Sequence, residues 1–369
     1  MPNPSTASRS TADLDRFYGT TIEEWDDGVE EVVFEENSLL YVMNSVGKHW
    51  KTGGRDVGMS FTSVKNDTAE AFAGTQHLKV SASQGPSTAL WSLKNYKVSV
   101  QTIWEEEVEN SGMSALLDKF QEAVENAELS LAELLDEVLK SGQGNGSKHF
   151  QGLEEAVFAG DPSAGTAPSL TRTQFFSGAD NTYAGIDRSG TDDGAVGWRN
   201  GAMDIASLTD GFTSRTSATS AYPALRRAYN LCSRGTRTPD LILMTLDPYE
   251  HFEGLGEDVV RYNKGLDGQM GRFNFPFECF AYHNATVVKW EGGTNSGLNG
   301  NDAATGAQMV YLLSTMYWKL TAETQAWFAW TDFIRPSTQM ARVAHMVVRL
   351  TPRCINPRYQ GVLHDYTVS

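Results

Sequence analysis

The sequence is short of the residues that several function classes require. Only three of its 369 residues are cysteine, Cys232, Cys279 and Cys354; they lie far apart with no CxxC pair, which excludes a disulfide framework and a zinc knuckle. No run of 18 apolar residues could span a bilayer, and the polar stretch from Met1 to Arg16 lacks the apolar core of a secretory signal. A protein that is neither secreted by that route nor embedded in a membrane is therefore expected. Basic residues are also scarce. Thirty Lys and Arg stand against 46 Asp and Glu, giving a net charge of -16, so the surface as a whole cannot grip nucleic acid through its phosphates.

Catalytic motifs are equally sparse. HExxH, G-x-S-x-G and Walker A patterns are absent, and the glycines of 142–148 have the wrong spacing for a phosphate cradle, so they read as a turn. Asp187, Asp192 and Asp193 superficially suggest a calcium loop, but the alternating oxygens and closing glutamate are missing. The seven histidines are scattered singly. No catalytic residue, cofactor or metal is expected. Aromatics around Trp327, Phe328 and Trp330 are flanked by Glu323 and Asp332, which favours packing over base stacking.

What is present is a folding composition: 40% hydrophobic and 21% charged, with nine Trp, thirteen Tyr and seventeen Phe. Residues 22–36 interleave eight carboxylates with Trp25, Val29, Val32, Val33 and Phe34. From Leu39 to Glu107, alternation such as Val98, Val100, Thr102 and Trp104 predicts strands and a long hairpin. A two-stranded hairpin is marginal alone, so it must lean on its own domain or on a neighbouring subunit. Residues 111–141 predict one long amphipathic helix through Met113, Leu117, Phe120, Val124, Ala127, Leu131, Leu134 and Val138, with Asp118, Glu122, Glu125, Glu128, Glu133, Asp136 and Glu137 on its wet faces. A second helix runs from Ser220 to about Gly235, a buried strand follows at Leu241–Thr245, and Asp247-Pro248-x-Glu250 predicts the cap of a third helix. Further strands are expected at 280–290, 309–320 and 342–350, around a Gly- and Asn-rich loop at 292–306. The class is α+β.

Four stretches in this order resemble one family. They are Ile103 to Gly112 leading into the long helix; Leu153-Glu-Glu-Ala-Val-Phe158, then Thr182-Tyr-Ala-Gly-Ile-Asp-Arg-Ser189 with Trp198-Arg-Asn200; Pro239-Asp-Leu-Ile-Leu-Met-Thr245; and Phe328 to Pro336 with Asn356 to Leu363. Together they are similar to the major capsid protein of tailed bacteriophages, the Hong Kong 97-type fold. The insertion Gly190 to Gly197 before Trp198 departs from the family pattern.

The resemblance implies an N-terminal arm (1–45), an extended hairpin loop (46–107), a peripheral domain (108–200) with spine helix 111–141, an axial domain (201–327) and a return to the peripheral domain (328–369). It implies a shell subunit that partners itself in hexamers and pentamers, with scaffolding, portal and decoration proteins as further partners, enclosing DNA without reading its sequence and touching no membrane. Localisation would be the virion, with assembly in host cytoplasm. Candidate subunit-interface residues are Trp50, Phe61, Phe72, Leu90 and Trp91 on the hairpin, with Asp187, Arg188 and Arg199. Some shells of this family form Lys to Asn isopeptide links, for which Lys65 or Lys79 with Asn356 would stand here, although the catalytic acid has no match. An encapsulin-like compartment protein and a soluble hydrolase are the alternative functions.

Overall fold

A computed structural model describes residues 42–43, 48–62, 68–80, 87–103, 119–142, 147–160, 170–177, 181–190, 193–205, 208–210, 214, 217, 220–257, 279–290, 309–331, 334 and 341–364. The arm upstream of 42, the acidic stretch 22–36, Trp104 and the loop 292–306 lie outside them. In chain order the strands begin with β1 (Lys48–Lys51), β2 (Asp56–Phe61), β3 (Ser87–Ser92), β4 (Lys94–Ile103), β5 (Thr182–Tyr183), β6 (Ile186–Asp187) and β7 (Gly201–Asp204). They continue with β8 (Leu241–Met244), β9 (Cys279–Tyr282), β10 (Ala285–Lys289), β11 (Met309–Leu313), β12 (Trp318–Glu323), β13 (Ala329–Trp330), β14 (Ala341–Cys354) and β15 (Gly361–His364). The helices are α1 (Lys119–Ser141), α2 (Leu153–Ala156), α3 (Arg172–Phe175), α4 (Asp193–Gly197), α5 (Ala221–Cys232) and α6 (Leu246–Glu257).

All four residues of β8 are apolar and buried because its sheet is covered on both faces. The six-stranded sheet runs β7-β15-β11-β8-β10-β9. Its side chains alternate between two cores. Leu241, Leu243, Tyr311, Leu313, Val288 and Val362 face a core shared with α1, while Ile242, Met244, Val310, Leu312, Val287 and Leu363 face one shared with α5. Helix α5 buries Leu225, Ala228, Tyr229 and Cys232 there, leaves Arg226 and Arg227 outside, and is capped by the Ser220 hydroxyl, which accepts from Tyr222 N–H. The next helix starts two residues earlier than an Asp247 cap implies: it begins at Leu246, where Tyr249 N–H donates to Thr245 C=O (3.1 Å), placing Asp247 inside the first turn.

The second sheet has five strands, β1-β12-β14-β13, with β4 also on β14. Its inner face (Tyr96, Val98, Leu320, Ala322, Met346, Val348 and Leu350) packs with Leu131, Leu135, Val138 and Leu139 of α1. Here strand pairing corrects the expected organisation. β4, assigned to the hairpin by its alternation, pairs over its whole length with β14, from Lys94↔Leu350 to Ile103↔Ala341. The hairpin is therefore β2 with β3 only. Sheet membership also changes away from 327/328: β12 already belongs to the five-stranded sheet, and β15 returns to the six-stranded one. Asp136, expected on the wet face of α1, is buried and paired with Lys140 at 2.6 Å.

Helix α1 stops where Gly142 adopts φ +62°, the left-handed conformation that favours glycine. The chain then folds back so closely that a Cβ on Gly142 would lie 2.4 Å from the Gly152 nitrogen. Gly142→Ala is expected to lower the unfolding free energy by about 3 kcal/mol. Gly53→Ala, also at positive φ (+71°) but with open space around its Cβ, should cost only about 1 kcal/mol. Urea denaturation reads both, and equal losses would remove the close approach as the cause.

Candidate assembly surfaces

Within 181–190 and 193–200, Tyr183, Ala184, Arg188, Trp198 and Asn200 form a buried knot. The β5–β6 turn needs positive φ at Ala184 (54°) and Gly185 (76°), and delivers Arg188 into the interior, fully buried. Its Nη1 donates to Asn200 Oδ1 (2.9 Å), its Nη2 to Ala156 C=O (2.9 Å), and its guanidinium lies 4.8 Å from the Tyr183 ring centre. Burial lowers its pKa to about 10, so it stays protonated at neutral pH. Asn200 closes the knot, accepting also from Phe158 N–H (3.1 Å) and donating to Phe158 and Gly201 carbonyls. Arg199 donates through Nε to Arg188 C=O (2.7 Å) and through Nη2 to Gly190 C=O (3.0 Å), which pins the inserted loop. Asp187 is exposed and accepts from the Ser189 hydroxyl (2.7 Å) and N–H (2.9 Å), bonds that hold its carboxyl below the ordinary range. That is a local turn, and no group of three or more metal-ligating side chains occurs among the described residues.

The hairpin leans on this knot. Phe61 stacks on Trp198 with ring centres 4.4 Å apart, Trp91 sits 6.2 Å from Trp198 and 6.3 Å from Tyr183, and Leu90 N–H donates to Ala184 C=O (2.9 Å). The eight candidates therefore separate. Trp91 and Arg188 are covered by their own chain, Phe61 is half-buried on Trp198, and Arg199 and Asp187 are engaged in the local loop. Trp50, Phe72 and Leu90 are exposed. Trp50 meets Trp327 edge-on at 5.5 Å, beside Lys48, whose ammonium stands 4.3 Å from the Trp327 ring centre. Towards the tip, residues 69–80 are all exposed, including Phe72, Leu78 and Val80, the last 93% exposed. Leu78 and Val80 are readable only in hindsight, as an alternation around Lys79 with no turn residue. Lys79 is exposed on this tip, while the Asn356 carboxamide oxygen caps a turn by accepting from Arg358 N–H (3.2 Å).

Among the described residues the buried thiols and carboxyls stand apart from one another in their protonation behaviour. Burial pushes the Cys354 thiol up to about 12 and Cys232 higher still, so neither supplies a thiolate. The Glu154 carboxyl is lifted by burial, and then by neighbouring Glu155, from 4.5 to about 8. Among the described residues no helix is long and apolar enough to cross a membrane.

No protein-family model matches the chain, and no curated protein matches it. Solved structures do. A chain of the cyanophage A-1(L) capsid asymmetric unit superposes with a TM-score of 0.53 at 16% identity, covering 94% of this chain and 97% of that one. The capsid of a native GTA particle gives 0.53 at 9% identity, covering 98% and 100%, and that of an empty GTA particle gives 0.52 at 10% identity, again covering 98% and 100%. The chain has the fold of a phage capsid protein. The coverage is nearly complete in both directions, and the α+β expectation holds.

Within this capsid fold, Glu154 gives a pH signature. Its folded pKa lies above the unfolded value, so between pH 4.5 and 8 the native state holds a proton that the unfolded state has lost. Stability then falls as pH rises through that window, by about 1.4 kcal/mol per unit at steepest, and levels above it. Glu154→Gln is expected to flatten the profile and to be the more stable form at pH 8. A variant profile parallel to the parent's would show that Glu154 does not titrate there.

Proposed function

We propose that the chain is the major capsid protein of a tailed phage, self-assembling as hexamers and pentamers into an icosahedral head around double-stranded DNA. The observation that carries this is the hairpin, whose base packs on the body through Phe61, Trp91 and Trp198 while Phe72, Leu78 and Val80 towards its tip are exposed. An exposed apolar tip on a capsid-fold body supports burial against a neighbouring copy, each 100 Å² of apolar contact contributing about 2.5 kcal/mol before entropic costs. In this reading the five-stranded sheet with α1 is the peripheral domain and the six-stranded sheet with α5 the axial domain. Activity is assembly and not catalysis. The virion is its site, reached from the host cytoplasm, with scaffolding, portal and decoration proteins as further partners.

Glu125, Glu128, Glu133 and Glu137 on the solvent side of α1 support a shell interior that repels DNA, which would let the genome pack without adhering. Electron microscopy and light scattering of the expressed protein test the reading. Particles of many megadaltons are expected. The triple variant Phe72→Ser/Leu78→Ser/Val80→Ser should abolish them while shifting the thermal midpoint by only about 2 °C, because these side chains are exposed in the subunit. A parent protein that stays a small oligomer, or a variant that assembles normally, would overturn the proposal.

A further inference from the structure

Four arginines gather at one end of the six-stranded sheet, and none of them forms an ion pair among the described residues. Strand register fixes the place. Leu241 of β8 pairs with Leu313 of β11, and Gly361 of β15 with Leu312, so β8 and β15 both start at the end where β11 stops. Arg234 and Arg237 lie on the tight turn before β8, and Arg358 lies in the turn before β15. Arg172 joins them from α3, which packs on α5 and β7. Its guanidinium stands 5.8 Å from the Phe176 ring centre, and that of Arg358 stands 5.1 Å from the same ring. Burial, then Arg172 and Arg234, hold the Arg358 guanidinium below its ordinary range, so these cations are close enough to repel one another. Arg172, Arg234 and Arg237 are exposed. An apolar patch adjoins them. Met316 is exposed, with its sulfur accepting from the Arg237 guanidinium, and the next residue, Tyr317, stacks on Tyr359 with ring centres 4.6 Å apart.

The complement stands past the far end of β8. Helix α6 begins there, packs on β8 and β10, and contains no Lys or Arg. Its Asp247 and Glu250, one turn apart, are exposed and Glu253 is half-exposed; Leu246, beside Asp247, is an exposed apolar residue. These carboxylates also form no ion pair among the described residues. Each end of β8 thus joins an exposed apolar side chain to unmatched charge, basic before the strand and acidic after it. Within one chain the strand stands between Arg237 and Leu246, its four residues spanning about 13 Å. A contact that uses one end of each copy is heterologous, and repeated by rotation it closes a ring.

We propose that the arginine end of one copy seats the first two turns of helix α6 of a second copy, Arg234 and Arg237 facing Asp247 and Glu250 while Met316 meets Leu246. The proposal rests on the capsid reading for the closed ring, and names the contact that joins neighbours within it. Arginine and tyrosine around an apolar centre are the side chains on which interfaces concentrate their binding energy. Two other occupants fit less well. Nucleic acid would match the charge but offers no apolar partner to Met316, and would meet repulsion from a chain of net charge -16. The hairpin tip of a second copy offers apolar residues, but its Glu70 is offset by Lys79 in 68–80, which leaves no net charge to match the arginines.

Charge exchange between copies tests the contact in the full-length protein. Arg234→Glu/Arg237→Glu and Asp247→Lys/Glu250→Lys each set like charges against one another across it. Each alone is expected to weaken self-association at least about ten-fold, read by light scattering and sedimentation. Mixed in equal amounts, the two variants present opposite charges again, and association should return to within about three-fold of the parent's. Should either fail to fold, Arg237→Lys keeps the charge and supplies an amine for zero-length carbodiimide coupling. Its coupled dimers on a denaturing gel should contain amide links from position 237 to Asp247 or Glu250. Four outcomes overturn the proposal: a mixture that associates no better than its components, coupling confined to single chains, coupling to Glu128 or Glu133 of α1 instead of α6, or protection of the arginines from phenylglyoxal by added duplex DNA at about 0.15 M salt. Particles that form without this coupling would remove the contact and leave the capsid reading standing, whereas coupling within a small oligomer would keep the contact and remove that reading.

Discussion

The Arg188 guanidinium lies inside the protein, and a buried cation is tolerated only where its N–H groups meet well-placed acceptors. Asn200 and the Ala156 carbonyl provide two, and Tyr183 offers its ring face. The Arg188 Nε has no hydrogen-bond partner among the described residues, so the two Nη bonds carry the contact, and they bring together α2, the β5–β6 turn and the segment leading into β7. The hairpin inherits its direction from this arrangement, since its base packs on Tyr183, Ala184 and Trp198. Removing the cation would take the guanidinium donor from the Ala156 carbonyl and leave Asn200 Oδ1 with Phe158 N–H alone; replacing it by lysine would keep the charge and lose the fork that spans them.

The same dependence explains what could be read from residues in order and what could not. Helix α5, strand β8 and the buried stripe of α1 announce themselves because a period of 3.6, or a short unbroken apolar run, depends on local neighbours alone. The partner of β4 does not. Alternation in 94–103 reports that one face is covered, not that the strand completing the pairing lies some 240 residues later in β14. Trp91 and Phe72 are both aromatic residues in polar surroundings, yet one is enclosed and the other exposed, and the difference is made by Trp198, a hundred residues downstream. Arg188 beside Asp187 reads as a surface pair for the same reason. Asp136 was misplaced through a local effect: its partner Lys140, one turn on, allows a carboxylate to be buried on a face that hydropathy alone would give to solvent.

Composition conceals a further division. A net charge of -16 describes the chain, but the acid is concentrated in 22–36 and along α1, while the outward positions of one sheet are basic. Averaging erases that segregation, and only the register of β1, β12, β14 and β4 restores it.

If the chain assembles as proposed, these features bear on how it would gain affinity. Both sheets contribute to one core with α1, so the described body would lose little freedom on association. The hairpin tip would supply apolar area, whose contribution is nearly indifferent to salt. Repeated around a closed assembly, each later contact would become effectively intramolecular. Modest individual interactions would then suffice to cover Phe72, Leu78 and Val80, which are exposed in the single chain.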